Sequence, residues 1–158
     1  MKLNVGCGFT HLNGFINLDI NPDKNPDIVA NCTSLPYEDN SMDEIVCGHL
    51  LEHLTIEDFE KTIKEMHRVL KPECKITVII PDLVRGIECY NNGLIPWSLV
   101  QQICFGSEPK PELNHKLVLN SKVMINSLNP YFKDLKSRLC SNHASTICFW
   151  QVIIEGKK

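Results

Sequence analysis

Residues 44–80 read EIVCGHLLEHLTIEDFEKTIKEMHRVLKPECKITVII, and the order of apolar patterns in this stretch decides the fold. Glu44–Cys47 is a short β-branched run after the acidic turn Glu38-Asp39-Asn40-Ser41, which predicts a strand. Over Ile56–Leu70 the apolar residues Ile56, Phe59, Ile63, Met66 and Leu70 recur at three- and four-residue spacing, one stripe of a helix. Thr55 stands at its N-cap with Asp58 three residues on, and Lys71-Pro72 stops it. Lys75–Ile80 is then almost continuously apolar, as a strand covered on both faces must be. Strand, helix, strand in that order implies a right-handed crossover and a parallel sheet centre.

Working outward, Lys2–Val5 and Phe15–Ile20 read as strands. A short helix near Ser121–Leu128 and strands at about Ser137–Cys140 and Ile147–Ile154 close the chain. Asp82–Asn114 differs, with Pro96, Pro109, Pro111, Gly86, Gly93 and Gly106 around one helix-like patch, Trp97–Phe105. Residues 83–116 are therefore expected to form a lid or substrate-loop insertion. At 158 residues and 43% hydrophobic composition, residues 1–158 are expected to form a single domain that buries its own core.

The formal charge of −3, with both signs interspersed, provides no basic field, so neither nucleic acid nor an anionic membrane is an expected partner. No apolar run approaches the ~18 residues that would span a bilayer. Eight cysteines (Cys7, Cys32, Cys47, Cys74, Cys89, Cys104, Cys140 and Cys148) follow a start, Met1-Lys2-Leu3-Asn4, that lacks an apolar signal segment. No two stand closer than eight residues, so thiolate metal ligation is not expected. They read as small buried apolar residues of a cytoplasmic protein.

Leu3-Asn4-Val5-Gly6-Cys7-Gly8 ends the first strand in two glycines, where a side chain would keep a ligand off the backbone. A dinucleotide fingerprint needs a third glycine where His11 stands, and its acid about twenty residues on. Asp19 comes only eleven residues after Gly8. A carboxylate at the tip of the second strand suits the ribose hydroxyls of an adenosyl group without a pyrophosphate.

Five segments occur in order: Asn4-Val5-Gly6-Cys7-Gly8; Asn17-Leu18-Asp19-Ile20; Leu35-Pro36-Tyr37 with Asp39-Asn40-Ser41-Met42-Asp43-Glu44; His49-Leu50-Leu51-Glu52-His53-Leu54; and Arg68-Val69-Leu70-Lys71-Pro72. In these the chain resembles the class I S-adenosylmethionine-dependent methyltransferases of the type 11 kind. The short spacer Phe9–Gly14 is similar to that of a compact bacterial subfamily associated with glycan and cell-surface pathways. The resemblance covers Lys2 to about Asp82. It implies an α/β, Rossmann-like methyltransferase fold: a mostly parallel central sheet with an antiparallel C-terminal strand, and helices on both faces.

Carried over by position, the resemblance implies that Asn4, Gly6, Cys7, Gly8, Asp19, Ile20, Asn31, Cys32 and His49 bind S-adenosyl-L-methionine. Asp19 would hold the ribose and Asn31 would accept from the adenine amino group. Asn4 and Asn31 replace acids common in relatives. Glu52 and His53 belong to a helix-opening motif with a structural role. The implied reaction is methyl transfer to an oxygen or nitrogen of a small molecule such as a sugar or glycan precursor. His49, Asp82 and His115 are the candidate catalytic groups, because a neutral histidine or a carboxylate can take a hydroxyl proton. Arg85, Tyr90 and Trp97 are candidates for an acceptor pocket. No helical cap precedes the first strand, so the acceptor would be met by the lid, a partner protein or a second copy in a homodimer. The other reading is a non-catalytic S-adenosylmethionine-binding accessory protein, which the substitutions at Asn4 and Asn31 would fit.

Overall fold

In the computed structural model, which describes residues 1–106, 114–139 and 151–158, helix α1 (Ile56–Val69) forms where the spacing places it. The Thr55 hydroxyl caps it, accepting from the Asp58 backbone N–H at 3.2 Å. Phe59, Ile63, Met66 and Val69 are buried, each contributing about 1.5–3 kcal/mol of apolar burial. Ile56, placed in the stripe by its spacing, lies in the first turn and is exposed.

Seven strands follow the order β3-β2-β1-β4-β5-β7-β6. They are β1 (Lys2–Val5), β2 (Ile16–Asp19), β3 (Ile28–Val29), β4 (Met42–Gly48), β5 (Leu70–Pro81), β6 (Lys133–Leu139) and β7 (Gln151–Lys157). β7 runs antiparallel to both neighbours; the pairs from β3 across to β5 are parallel. This is the expected Rossmann-like architecture, mostly parallel with an antiparallel C-terminal strand. The prolines Pro109 and Pro111, the cysteines Cys140 and Cys148, and residues 147–150 of the expected last strand lie outside the described residues. Cys7, Cys32, Cys47, Cys74 and Cys104 are free thiols. No helix among the described residues is long and apolar enough to cross a membrane.

The strand period of two sends Leu3, Val5, Ile45, Cys47, Ile76, Val78, Ile80, Val152 and Ile154 to one face, where they form one core with α1 and α4 (Ser121–Leu128). Both crossovers run the same way along the sheet, so right-handedness puts both helices on that face. The β1–β2 and β2–β3 connections, which would cover the other face, hold only a 3-10 turn at Pro22–Lys24. Helical cover is thus uneven, and Val46, Thr77 and Ile79 on the second face stay half-buried.

α2 (Leu83–Asn91) and α3 (Trp97–Phe105) follow β5 and share a small core of Cys89, Ile95, Val100 and Ile103. α2 was not expected, because Gly86 read as a turn signal. Its role is close packing: a Cβ there would stand 2.5 Å from Ile103 Cδ1.

An amide network takes the place of a helix between β1 and β2. Buried Asn4 donates through Nδ2 to Thr10 O (2.9 Å) and Asn17 Oδ1 (3.0 Å). Asn17 Oδ1 also accepts from Leu12 N–H, while Asn17 donates its backbone N–H and its Nδ2 to Asp27 Oδ2. These bonds, the backbone one foremost, hold the Asp27 carboxyl below its usual range. A depressed carboxyl adds stability above its unfolded pKa and loses it as pH falls through the lower folded value, a window lying below about pH 4. Thermal melts are expected to show Asp27→Asn less stable than the parent at neutral pH, with a shallower loss than the parent below that point.

Candidate functional site

Two glycines at the end of β1 take backbone conformations that other residues adopt only with strain. Gly6 has φ +68° and Gly8 φ +51°. A Cβ on Gly6 would meet the Leu50 side chain at 2.8 Å, whereas one on Gly8 would enter open space. The bend is tied to β2 at two points: Cys7 N–H donates to Leu18 O (2.9 Å) and Gly8 N–H to Asp19 Oδ2 (2.8 Å), while the other Asp19 oxygen, Oδ1, accepts from Asn21 N–H (2.9 Å). Cys7 itself is buried, which pushes its thiol pKa up, and it serves the bend through its backbone.

Beside this bend lies a cleft of about 160 Å³ walled by Gly6, Asp19, Ile20, Asn31, Cys32 and Leu50. An adenosyl group fits these residues. Each Asp19 oxygen accepts one bond from the protein, and a carboxylate has about four acceptor positions, so two remain for ribose hydroxyls. Ile20 is exposed and supplies apolar surface; Cys32 is half-buried, with its thiol pKa raised by burial. Asn31 departs from its expected role. Its Oδ1 already accepts from both the N–H and the hydroxyl of Thr33, so it offers the cleft an amide donor rather than an acceptor for the adenine amino group. Asn4 departs too: it donates twice to shape the bend, which the acid it replaces could not do.

A second cleft of about 310 Å³ continues from the same bend, walled by Gly6, Gly8, Phe9, Val46, His49 and Ile79. His49 sits at the end of β4 with φ +54°, a strained conformation for a residue with a side chain. Its backbone N–H donates to Ile79 O, and its Nδ1 lies 3.1 Å from Glu52 Oε1. Glu52 is 1% exposed, and its Oε2 has no hydrogen-bond partner among the described residues. Sequence reading gave Glu52 a structural part in a helix opening; the structure makes it the partner of His49. The missed signal is the three-residue spacing of His49 and Glu52, which one turn of 3-10 helix (Leu51–His53) brings onto the same side.

His115 joins this group from a distant part of the chain. Lys116 and Leu117 N–H both donate to Glu52 O, and the His115 ring lies edge-on to His53, centroids 5.0 Å apart. Its Nδ1 pairs with Ile103 O at 2.9 Å, and burial lowers its pKa. Asp82 does not join it. It is 2% exposed and caps α2, Oδ1 accepting from Arg85 N–H and Oδ2 from Ser121 N–H, so it pins the starts of α2 and α4. Placed as a catalytic candidate by its position after β5, Asp82 lines neither cleft beside the glycine bend. Tyr90 and Trp97, both exposed, meet ring edge to face between α2 and α3, and Arg85 pairs with Glu88; none of the three lines the cleft holding His49.

Residues 3–78 match the family described as a methyltransferase domain. The chain is 33% identical over 93 residues to an uncharacterized protein of Methanocaldococcus jannaschii, covering 51% of this chain and 40% of that one. It is 36% identical over 52 residues to 2-phytyl-1,4-naphtoquinone methyltransferase of Nostoc, covering 33% and 22%. The matched stretches thus span less than half the length of these curated relatives. The fold is similar to that of the N-methyltransferase NodS of Bradyrhizobium japonicum, solved in complex with S-adenosyl-L-homocysteine: TM-score 0.65, 12% identity, covering 99% of this chain and 76% of that one. The open space at Gly8 makes a test of the site. Gly8→Val is expected to weaken S-adenosylhomocysteine binding by about tenfold or more in calorimetry. Gly6→Ala, which clashes with Leu50, is expected to cost about 1–3 kcal/mol in denaturant unfolding.

Proposed function

We propose, from the premise that residues 3–78 are a class I methyltransferase domain of the type 11 kind, that the chain transfers a methyl group from S-adenosylmethionine to a hydroxyl or amine of a small acceptor. The observation that carries this reading is the pairing of His49 with buried Glu52 at the wall of a cleft that continues from the glycine bend. Asp19, Gly6 and Gly8 would hold the cofactor, which when bound supplies an electrophilic methyl on a good leaving group. The chain is left to position the acceptor, exclude water and remove a proton.

With Nδ1–H donated to Glu52 Oε1, the His49 imidazole keeps its Nε2 lone pair for the acceptor proton. Glu52 is a positioning residue in this scheme. The strained backbone at His49 is consistent with a side chain held for function rather than for stability. Because Asn4 builds the bend, its replacement of an acid does not favour the non-catalytic accessory reading. A sugar or glycan precursor is the acceptor class that the compact-subfamily resemblance favours. The Nostoc relative favours a second reading, methylation of a quinol-type ring, where removing a hydroxyl proton would also activate the acceptor.

Incubating the protein with methyl-labelled cofactor and panels of sugars, amines and quinols, with products located by NMR, tests the reading. Label reaching none of them while S-adenosylhomocysteine binds tightly would leave the accessory reading standing. Asp19→Ala is expected to lose cofactor binding. His49→Gln should lower kcat by about 10²-fold or more with cofactor affinity kept, and Glu52→Gln should also lower kcat with cofactor KM unchanged.

A further inference from the structure

Glu52, His53 and His115 form a cluster that the methyl-transfer scheme does not use as a unit. One ligand-capable atom from each lies within 4.8 Å of the others. Glu52 is 1% exposed, and its Oε2 is buried with no hydrogen-bond partner among the described residues. A buried carboxylate oxygen bears its full desolvation penalty unless something pairs with it. The other Glu52 oxygen is committed to His49, so the free one is available to a further partner.

His115 is oriented to present Nε2 as a ligand. His115 Nδ1 pairs with the Ile103 carbonyl, so that ring nitrogen carries the hydrogen and Nε2 keeps its lone pair. A backbone carbonyl on the second nitrogen is the usual support of a metal-bound imidazole. The positions are also fixed by main chain. The 3-10 turn Leu51–His53 carries two of the ligands, and the N–H groups of Lys116 and Leu117 clamp the third one's strand of chain onto Glu52 O. Two imidazoles and one carboxylate suit zinc or a neighbouring first-row divalent ion, with one or more coordination positions open to water or an acceptor oxygen. Ligand distances of about 2.0–2.2 Å would draw the three donor atoms, now within 4.8 Å of one another, closer together.

We propose that Glu52, His53 and His115 bind a divalent transition-metal ion of the zinc class, next to the His49 end of the cofactor cleft. This goes beyond methyl transfer, and its test is read without turnover. The metal-free protein is titrated with Co²⁺, followed by visible absorption and by dialysis. One Co²⁺ per chain with d–d bands, displaced by Zn²⁺, is expected. His53→Gln and His115→Gln should each weaken it by about tenfold or more, and His67→Gln, outside the cluster, should leave it unchanged.

S-adenosylhomocysteine binding by each variant reports that it is folded. Should either variant fail to fold, paramagnetic broadening of the His53 and His115 imidazole signals by Co²⁺ in the unaltered protein gives the same answer. Absence of stoichiometric Co²⁺ uptake, uptake that survives loss of both histidines, or broadening confined to other histidines overturns the proposal. Either result leaves methyl transfer itself to be decided by the labelled-cofactor experiment.

Discussion

The hold of β2 on the glycine bend is the constraint on which the rest of the site depends. β1 and β2 are joined by only ten residues, with no helix between them. A link that short leaves backbone groups that must find partners locally. Asn4 and Asn17 supply them from inside the sheet, and Asp19 takes the N–H groups of Gly8 and Asn21. The carboxylate placed to meet a ribose is therefore also the group that sets the bend against which the ribose would lie. The structural role and the proposed binding role fall on one side chain, because a carboxylate has enough acceptor positions for both.

The opposite wall of the site is held from farther away. His49 ends β4 in a left-handed conformation, and its main-chain bond to Ile79 places it at the rim of β5. Its side chain is then oriented by a carboxylate buried in the following 3-10 turn. The segment 115–117, beyond α3, is fastened to that same turn. Three stretches of chain thus converge on Glu52, whose burial makes each of its polar contacts consequential.

The second face of the sheet is left thinly covered by the short β1–β2 connection, and this shapes the cleft. Val46 and Ile79, which a helix there would bury, instead line the larger cleft beside Gly6 and His49. Among the described residues no helix covers these two side chains, and the cleft they line reaches the bend from the sheet's face.

By itself the sequence determined the parallel centre, helix α1 with its cap, and the glycine bend with its acid. All of these rest on local spacing or on residues within one crossover, where 3.6- and 2-residue periods and turn chemistry dominate. Gly86 misled because a glycine needed for close helix packing looks the same as one needed for a turn. Asp82 and Asn31 were placed at the right edge of the sheet, but only folded neighbours could show that Asp82 caps two helix starts away from the clefts and that Asn31 Oδ1 already accepts two bonds. The cluster of Glu52 with His49, His53 and His115 was decided by tertiary structure alone. It joins positions more than sixty residues apart through backbone hydrogen bonds to Glu52 O, and main-chain pairing over that distance leaves no pattern in the side chains.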